Sequence, residues 1–172
     1  GSRCVANFLM KETKNDKINL TTRERTITCK KIDDVTVSVN MGKPKFEWNE
    51  IPLTKDIDPV DINFSIRGLA LKKPFLVNIG NPHIIFFDEE IEKYDIESFG
   101  SLIENDNLFP EKINVSFAKL KSDNHIILNV WERGSGKTNA CGTAACATAV
   151  AGVEMGLIKN KVTVTLPGGD LE

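Results

Sequence analysis

Between Gly142 and Gly152 the chain runs Gly-Thr-Ala-Ala-Cys-Ala-Thr-Ala-Val-Ala-Gly, with no charge and no long side chain. A helix on the surface of a globular protein carries a polar stripe opposite its apolar one. A helix that is small and apolar on every side is expected to be buried, and the strand-like segments before it suggest a curved sheet wrapping it. This constrains the fold more than any other segment does.

The rest of the chain supplies the sheet. Three stretches, Lys17–Thr22, Arg25–Lys30 and Val35–Asn40, alternate with period two and are rich in β-branched residues, which predicts a meander of short strands after a helix at Cys4–Met10. Met41-Gly42-Lys43-Pro44 closes the meander, and a lobe boundary is expected near Gly42. The stretch through Pro52 and Pro59 has no clean period. Further strands are predicted at Ile62–Ile66, Leu76–Ile79, His83–Phe87, Ile113–Ala118 and His125–Trp131. Ile96, Phe99, Leu102 and Ile103 predict a helix over 95–107. Many short strands with a few helices make an α+β fold.

The loop ahead of the small-residue helix, Glu132-Arg133-Gly134-Ser135-Gly136-Lys137-Thr138-Asn139-Ala140-Cys141, carries the chemistry. Its Gly136-Lys137-Thr138 copies the end of a phosphate-binding loop, but the first glycine of that motif falls on Trp131 and the helix opens several residues too late. Cys141 is expected in the first helical turn, where unpaired N–H groups and the helix dipole favour a thiolate. The same N–H groups can hold a carboxylate. Gly142 lets a ligand approach the backbone, and Thr143 adds a hydroxyl. A buried inert cysteine is the commoner fate, and Cys146, one turn deeper, is expected to illustrate it.

The run Val130–Thr143 resembles the second catalytic cysteine motif of the diaminopimelate epimerase family, of the form ERGxGxTxACGT. Asn78-Ile79-Gly80-Asn81-Pro82-His83, Asn114-Val115 ahead of Phe117, and Leu166–Leu171 also resemble that family, and Gly1-Ser2-Arg3-Cys4 is similar to the tail of its first motif, CGNGxRC. The resemblance implies diaminopimelate-epimerase-like lobes, each a β-barrel around a central helix, with 1–42 the remainder of the first and 43–172 most of the second. It implies interconversion of LL- and meso-diaminopimelate, on the route to lysine and peptidoglycan, with no cofactor: neither pyridoxal phosphate nor metal.

Inverting an α-carbon requires a proton to leave one face and another to reach the opposite face, so two acid/base groups must flank it. By the resemblance Cys141 is one of them, and His83 and Glu132 assist proton movement. The same resemblance implies that Asn81, Asn114 and Arg133 grip the distal amine and carboxylate, and that Gly142 and Thr143 hold the reacting carboxylate. Bottom-up, a lone His or a Glu beside an Arg is more often structural. The family's first cysteine would fall immediately upstream of Gly1, so residues 1–172 alone are expected to be inactive, and further strands are expected after Leu171. Gly1-Ser2 reads equally as native sequence or as a tag scar.

Two other readings stand beside this one. A proline or histidine racemase of the same fold would use the same helix-mouth chemistry with a different distal grip. A non-catalytic binding domain would have a Cys141 inert to iodoacetamide near neutral pH.

The 22 basic and 24 acidic residues are scattered, which argues against nucleic acid and anionic membrane as partners. No apolar run approaches the roughly 18 residues that cross a bilayer, and no signal peptide is seen, so a cytoplasmic protein is expected. Cys4, Cys29, Cys141 and Cys146 are too few and too unevenly spaced for a disulfide framework, and reduced thiols are expected. The expected partner is a small amino-acid substrate. A homodimer is common in the family, but no apolar stripe in the sequence marks an interface.

Overall fold

The computed structural model describes residues 1–22, 25–58, 60–66 and 69–172, so Pro59 lies outside the described residues. The chain divides into two compact units, Gly1–Lys43 and Pro44–Glu172.

In the first unit, helix α1 (Ser2–Thr13) is followed by strands β1 (Lys17–Thr21), β2 (Thr26–Lys31) and β3 (Val37–Asn40), paired antiparallel in that order. Ala6 and Met10, four residues apart on one face of α1, are buried with Ile27, Cys29 and Val37 of the sheet. Lys14, in the left-handed conformation, ends the helix. The helix therefore runs a turn beyond its apolar residues.

The second unit is built on one mixed sheet. Its strands are β6 (Phe75–Asn78), β7 (Pro82–Phe87), β8 (Asn114–Ser122), β9 (His125–Glu132), β10 (Gly136–Thr138), β11 (Thr163–Leu166) and β12 (Gly169–Leu171), after a small pair, β4 (Ser65–Ile66) and β5 (Leu69–Ala70). Among the described residues the order is β12-β11-β9-β8-β7-β6, with β10 folded back on β9. β7 and β8 are parallel, as are β9 and β11, and the other neighbours in this sheet are antiparallel.

Helix α2 (Ile96–Glu104) lies against one face of the sheet and α3 (Gly142–Glu154) against the other. On the α2 side, Leu76, Ile84, Phe86, Val115 and Phe117 join Ile96 and Ile103. On the α3 side, Val77, Ile85, Ala118, Leu128, Val130 and Val164 join Ala144, Ala147 and Ala151. The central strands are therefore buried on both faces, which is why β7 is a nearly unbroken apolar run rather than an alternation. Asp95 caps α2 by accepting from the Glu97 N–H.

The α+β class stands, and four local expectations change. Ile62, Phe64 and Ile66 alternate with exposed neighbours as expected, but only Ser65–Ile66 pairs. Packing into the α2-side core, rather than a ladder, keeps this segment extended. The predicted helix over 95–107 stops at Glu104. Gly136–Thr138, expected as loop, returns as β10 on β9 through a tight turn. Cys146, expected to be sealed among the alanines, is half-buried, as are Ala149 and Val150: α3 buries one side against the sheet rather than all of them. Among the described residues no helix is long and apolar enough to cross a membrane.

Candidate functional site

Strand register assembles the first part of the site. His83 on β7 pairs with Asn114 on β8, and one step beyond the Val115–Trp131 pair Asn114 comes opposite Glu132 on β9. The three polar residues thus form a row across the end of the sheet. Period two puts them on the same face as Ile85, Ser116 and Val130 in the next row, the face that α3 covers.

The helix brings in the second part. Cys141 is the N-cap of α3, one position earlier than the expected first turn, and its Sγ accepts from the Ala144 N–H at 3.5 Å. Two glycines fix the approach to the site. A Cβ on Gly168 would lie 2.7 Å from the Asn139 carbonyl oxygen, which instead accepts from the Gly168 N–H at 2.7 Å, so the β11–β12 turn clamps the loop entering Cys141. Gly80, at φ 109°, makes the β6–β7 turn that presents Asn81, with its N–H held by Asn78 Oδ1 at 2.7 Å.

A chain of hydrogen bonds then joins the two parts. His83 Nε2 lies 3.0 Å from Asn81 Oδ1, Asn81 Nδ2 donates to Thr143 Oγ1 at 3.4 Å, and Thr143 Oγ1 lies 3.3 Å from Cys141 Sγ. Asn81 Oδ1 can only accept, so Nε2 carries the imidazole hydrogen. Thr143, accepting from Asn81, is free to donate to sulfur. Every donor in the chain thus points toward Sγ, the sense that favours negative charge there. The Glu132 carboxylate lies near enough to the thiol to raise its pKa, and Thr138 Oγ1 donates to Glu132 Oε1 at 2.6 Å.

The electrostatics correct the expectation of an acidic Cys141. The residue is only 5% exposed, and burial pushes its thiol above its ordinary value; the Glu132 carboxylate acts in the same direction. The Thr143 hydroxyl and the Ala144 N–H pull against this but do not overcome it. In this chain burial keeps Cys141 a protonated thiol near neutral pH. Slow alkylation by iodoacetamide is therefore expected of an acid/base Cys141 as well as of an inert one, and it no longer separates the two readings. His83 is fully buried, and desolvation together with the charge of Arg133 lowers its pKa to about 3, so the ring is neutral near pH 7.

Asn114 and Arg133 are joined to each other rather than to the thiol. Asn114 Oδ1 accepts from the Arg133 N–H at 3.0 Å, and Nδ2 donates to the Pro82 carbonyl at 2.8 Å. Arg133 Nη1 donates to the Glu111 carbonyl at 2.9 Å. Gly142 is exposed, and a Cβ built on it would meet none of the described residues within 4 Å, so among them the mouth of α3 is open at that point.

Sequence reasoning missed Glu104. This buried carboxylate at the end of α2 accepts from Trp131 Nε1 at 2.7 Å and from the Gly134 N–H at 2.9 Å, with Lys112 Nζ at 3.6 Å, and so braces the turn that carries Glu132 and Arg133. Thr138 was also missed, although it lies within the motif. Among the described residues no three His, Cys, Asp or Glu side chains converge as metal ligands.

Fold and site together define an α+β unit with a thiol at the mouth of a helix and a carboxylate beside it. The diaminopimelate epimerase family model matches residues 75–172, and the chain belongs to that family. It is 44% identical over 176 residues to a diaminopimelate epimerase of Methylocella silvestris, a match taking in 100% of this chain and 61% of the relative. To one of Pelagibacter ubique it is 43% identical over 174 residues, covering 99% of the chain and 64% of the relative. To one of the Wolbachia of Brugia malayi it is 41% identical over 172 residues, covering 99% and 66%. The chain thus spans a little under two thirds of the length of these relatives.

Proposed function

We propose that the protein carrying this chain is a diaminopimelate epimerase in lysine biosynthesis, and that Cys141 is one of its two acid/base groups. The observation that carries the reading is the hydrogen bonding of Sγ at the mouth of α3, to Thr143 Oγ1 at 3.3 Å and from the Ala144 N–H at 3.5 Å, with the Glu132 carboxylate near enough to raise the thiol's pKa. Glu132 takes the thiol proton, and the resulting thiolate, stabilised by the donors from Thr143 and Ala144, removes the α-proton of substrate. In the opposite direction the Cys141 thiol delivers a proton to the α-carbon.

The α-carboxylate sits on the first-turn N–H groups of Gly142 and Thr143, where helix-end potential stabilises the charge that develops as the α-carbon is deprotonated. The distal end is held by Asn81 and Arg133, whose planar fork matches a carboxylate. Asn114, with both ends of its amide engaged inside the protein, sets the Arg133 backbone. His83, neutral and buried, orients Asn81. The reaction in this reading needs neither pyridoxal phosphate nor metal.

We also read the α3-side sheet face as the family's barrel-around-helix lobe. One apolar cluster gathers α3 with residues of β6, β7, β8, β9 and β11. A helix about 10 Å wide can reach strands spaced about 4.8 Å apart across such a sheet only if the sheet curls.

Exchange in deuterated water tests the substrate. With LL-diaminopimelate the protein is expected to place one solvent deuteron on the α-carbon as the meso form appears, and to leave L-proline and L-histidine unlabelled. Labelling of proline or histidine with none of diaminopimelate would transfer the site to the racemase reading.

A further inference from the structure

Among the described residues, three side-chain atoms on the α3 side of the sheet are buried without a protein partner: His83 Nδ1, Ser116 Oγ and Thr148 Oγ1. All three residues are 0% exposed. Buried polar atoms are almost always satisfied by protein or by a bound water. The Thr148 hydroxyl, in mid-helix, does not take the usual route of bonding back to a carbonyl one turn earlier.

The fold brings the three together. His83 pairs with Asn114 and Ile85 with Ser116, so Ser116 is the diagonal neighbour of His83 on the next strand and on the same face. Helix α3 runs along β7. It starts with Thr143 bonded to Asn81 at the head of the strand, and at Gly152 a Cβ would lie 3.5 Å from the ring of Phe87 at its end. Between these two anchors Thr148 falls just past the middle of the run, which puts it at about the level of Ile85, whose pair on β8 is Ser116. Donor and acceptor types also match. With its hydrogen on Nε2, His83 offers a bare lone pair at Nδ1, while the two hydroxyls can each donate.

We propose that Ser116 and Thr148 hold one buried water against His83 Nδ1, and that this water shares with Asn81 Oδ1, at the other ring nitrogen, the task of keeping the imidazole hydrogen on Nε2, at the head of the donor chain that ends on Cys141. The water accepts from both hydroxyls and donates to Nδ1, making the three hydrogen bonds usual for a buried water. Ser116 and Thr148 are positioning residues: they act on the thiol only through His83, Asn81 and Thr143. The effect on turnover rests on the epimerase reading, whereas the water and the tautomer do not.

The test uses the chain labelled with ¹⁵N-histidine, which carries only two histidines, His83 and His125. The ring-nitrogen shifts of His83 are expected to show the hydrogen wholly on Nε2. In the double variant Ser116→Ala, Thr148→Val they are expected to move toward a mixture of tautomers. A hydrogen on Nδ1 in the unsubstituted chain, or an unchanged tautomer in a folded double variant, would overturn the proposal. Should the variant fail to fold, a crystal structure of the unsubstituted protein decides, with a water within hydrogen-bonding reach of all three atoms supporting the proposal and none overturning it. In the active protein the double variant is expected to lower kcat about tenfold with KM unchanged. If the tautomer shifts as expected while the unsubstituted protein does not epimerise diaminopimelate, the epimerase reading fails and the water site stands.

Discussion

Replacing Cys141 by alanine is expected to lower epimerisation by the protein carrying this chain by about 10²- to 10⁴-fold, the span that a positioned general acid/base contributes. The fold should survive. Cys141 lies at an N-cap, its side chain is small, and the Ala144 N–H that loses Sγ as acceptor is a single weak bond at 3.5 Å. Loss of a good N-cap typically costs about 1 kcal/mol. Cys141→Ser keeps the cap and the Thr143 contact but not the acidity of a thiol, so it should fold at least as well as Cys141→Ala and remain severely impaired. Comparing the initial rates of both variants with their urea midpoints separates chemistry from stability. An alanine variant retaining a tenth or more of the activity would remove Cys141 from the proton path.

The largest structural effect is expected at Glu104. Its carboxylate is buried beneath the Glu132–Arg133 turn and accepts from Trp131 Nε1 and the Gly134 N–H, with Lys112 nearby. Glu104→Ala leaves two donors without an acceptor, and removing one partner from a buried charged network costs about 3 kcal/mol or more. Glu104→Gln retains an acceptor and should lose about half as much. Because the turn carries both Glu132 and Arg133, turnover should fall along with the urea midpoint. Full stability in Glu104→Ala would show that the turn is held by its ladder to β9 and β10 alone.

The contrast between these two positions shows what the sequence made legible. Cys141 stood out because its signal is local: a thiol, a glycine and a small-residue helix, adjacent in the chain. Register made the His83–Asn114–Glu132 row, and those residues were readable from their motifs, but their being neighbours was not. Glu104 gave no sign at all. It closes the apolar pattern of α2, where a solvated carboxylate is the ordinary expectation, and only the packing of α2 against Trp131 buries it.

The acidity expected of Cys141 fails for a related reason. The helix-end groups that favour a thiolate are local, whereas the burial that opposes them comes from a sheet assembled from distant segments, and here the distant effect is larger. Ile62–Ile66 shows the same limit for strands. Its alternation predicted which residues are buried, yet pairing depends on a neighbour that only the folded chain supplies.

A crystal structure of the protein carrying this chain, with diaminopimelate bound, tests the account most directly. Cys141 Sγ is expected about 3–3.5 Å from the α-carbon, the near-attack range, with the α-carboxylate on the Gly142 and Thr143 N–H groups and Glu132 still beside the sulfur. An α-carbon well beyond that range from Sγ, with the carboxylate held elsewhere than at the mouth of α3, would contradict it.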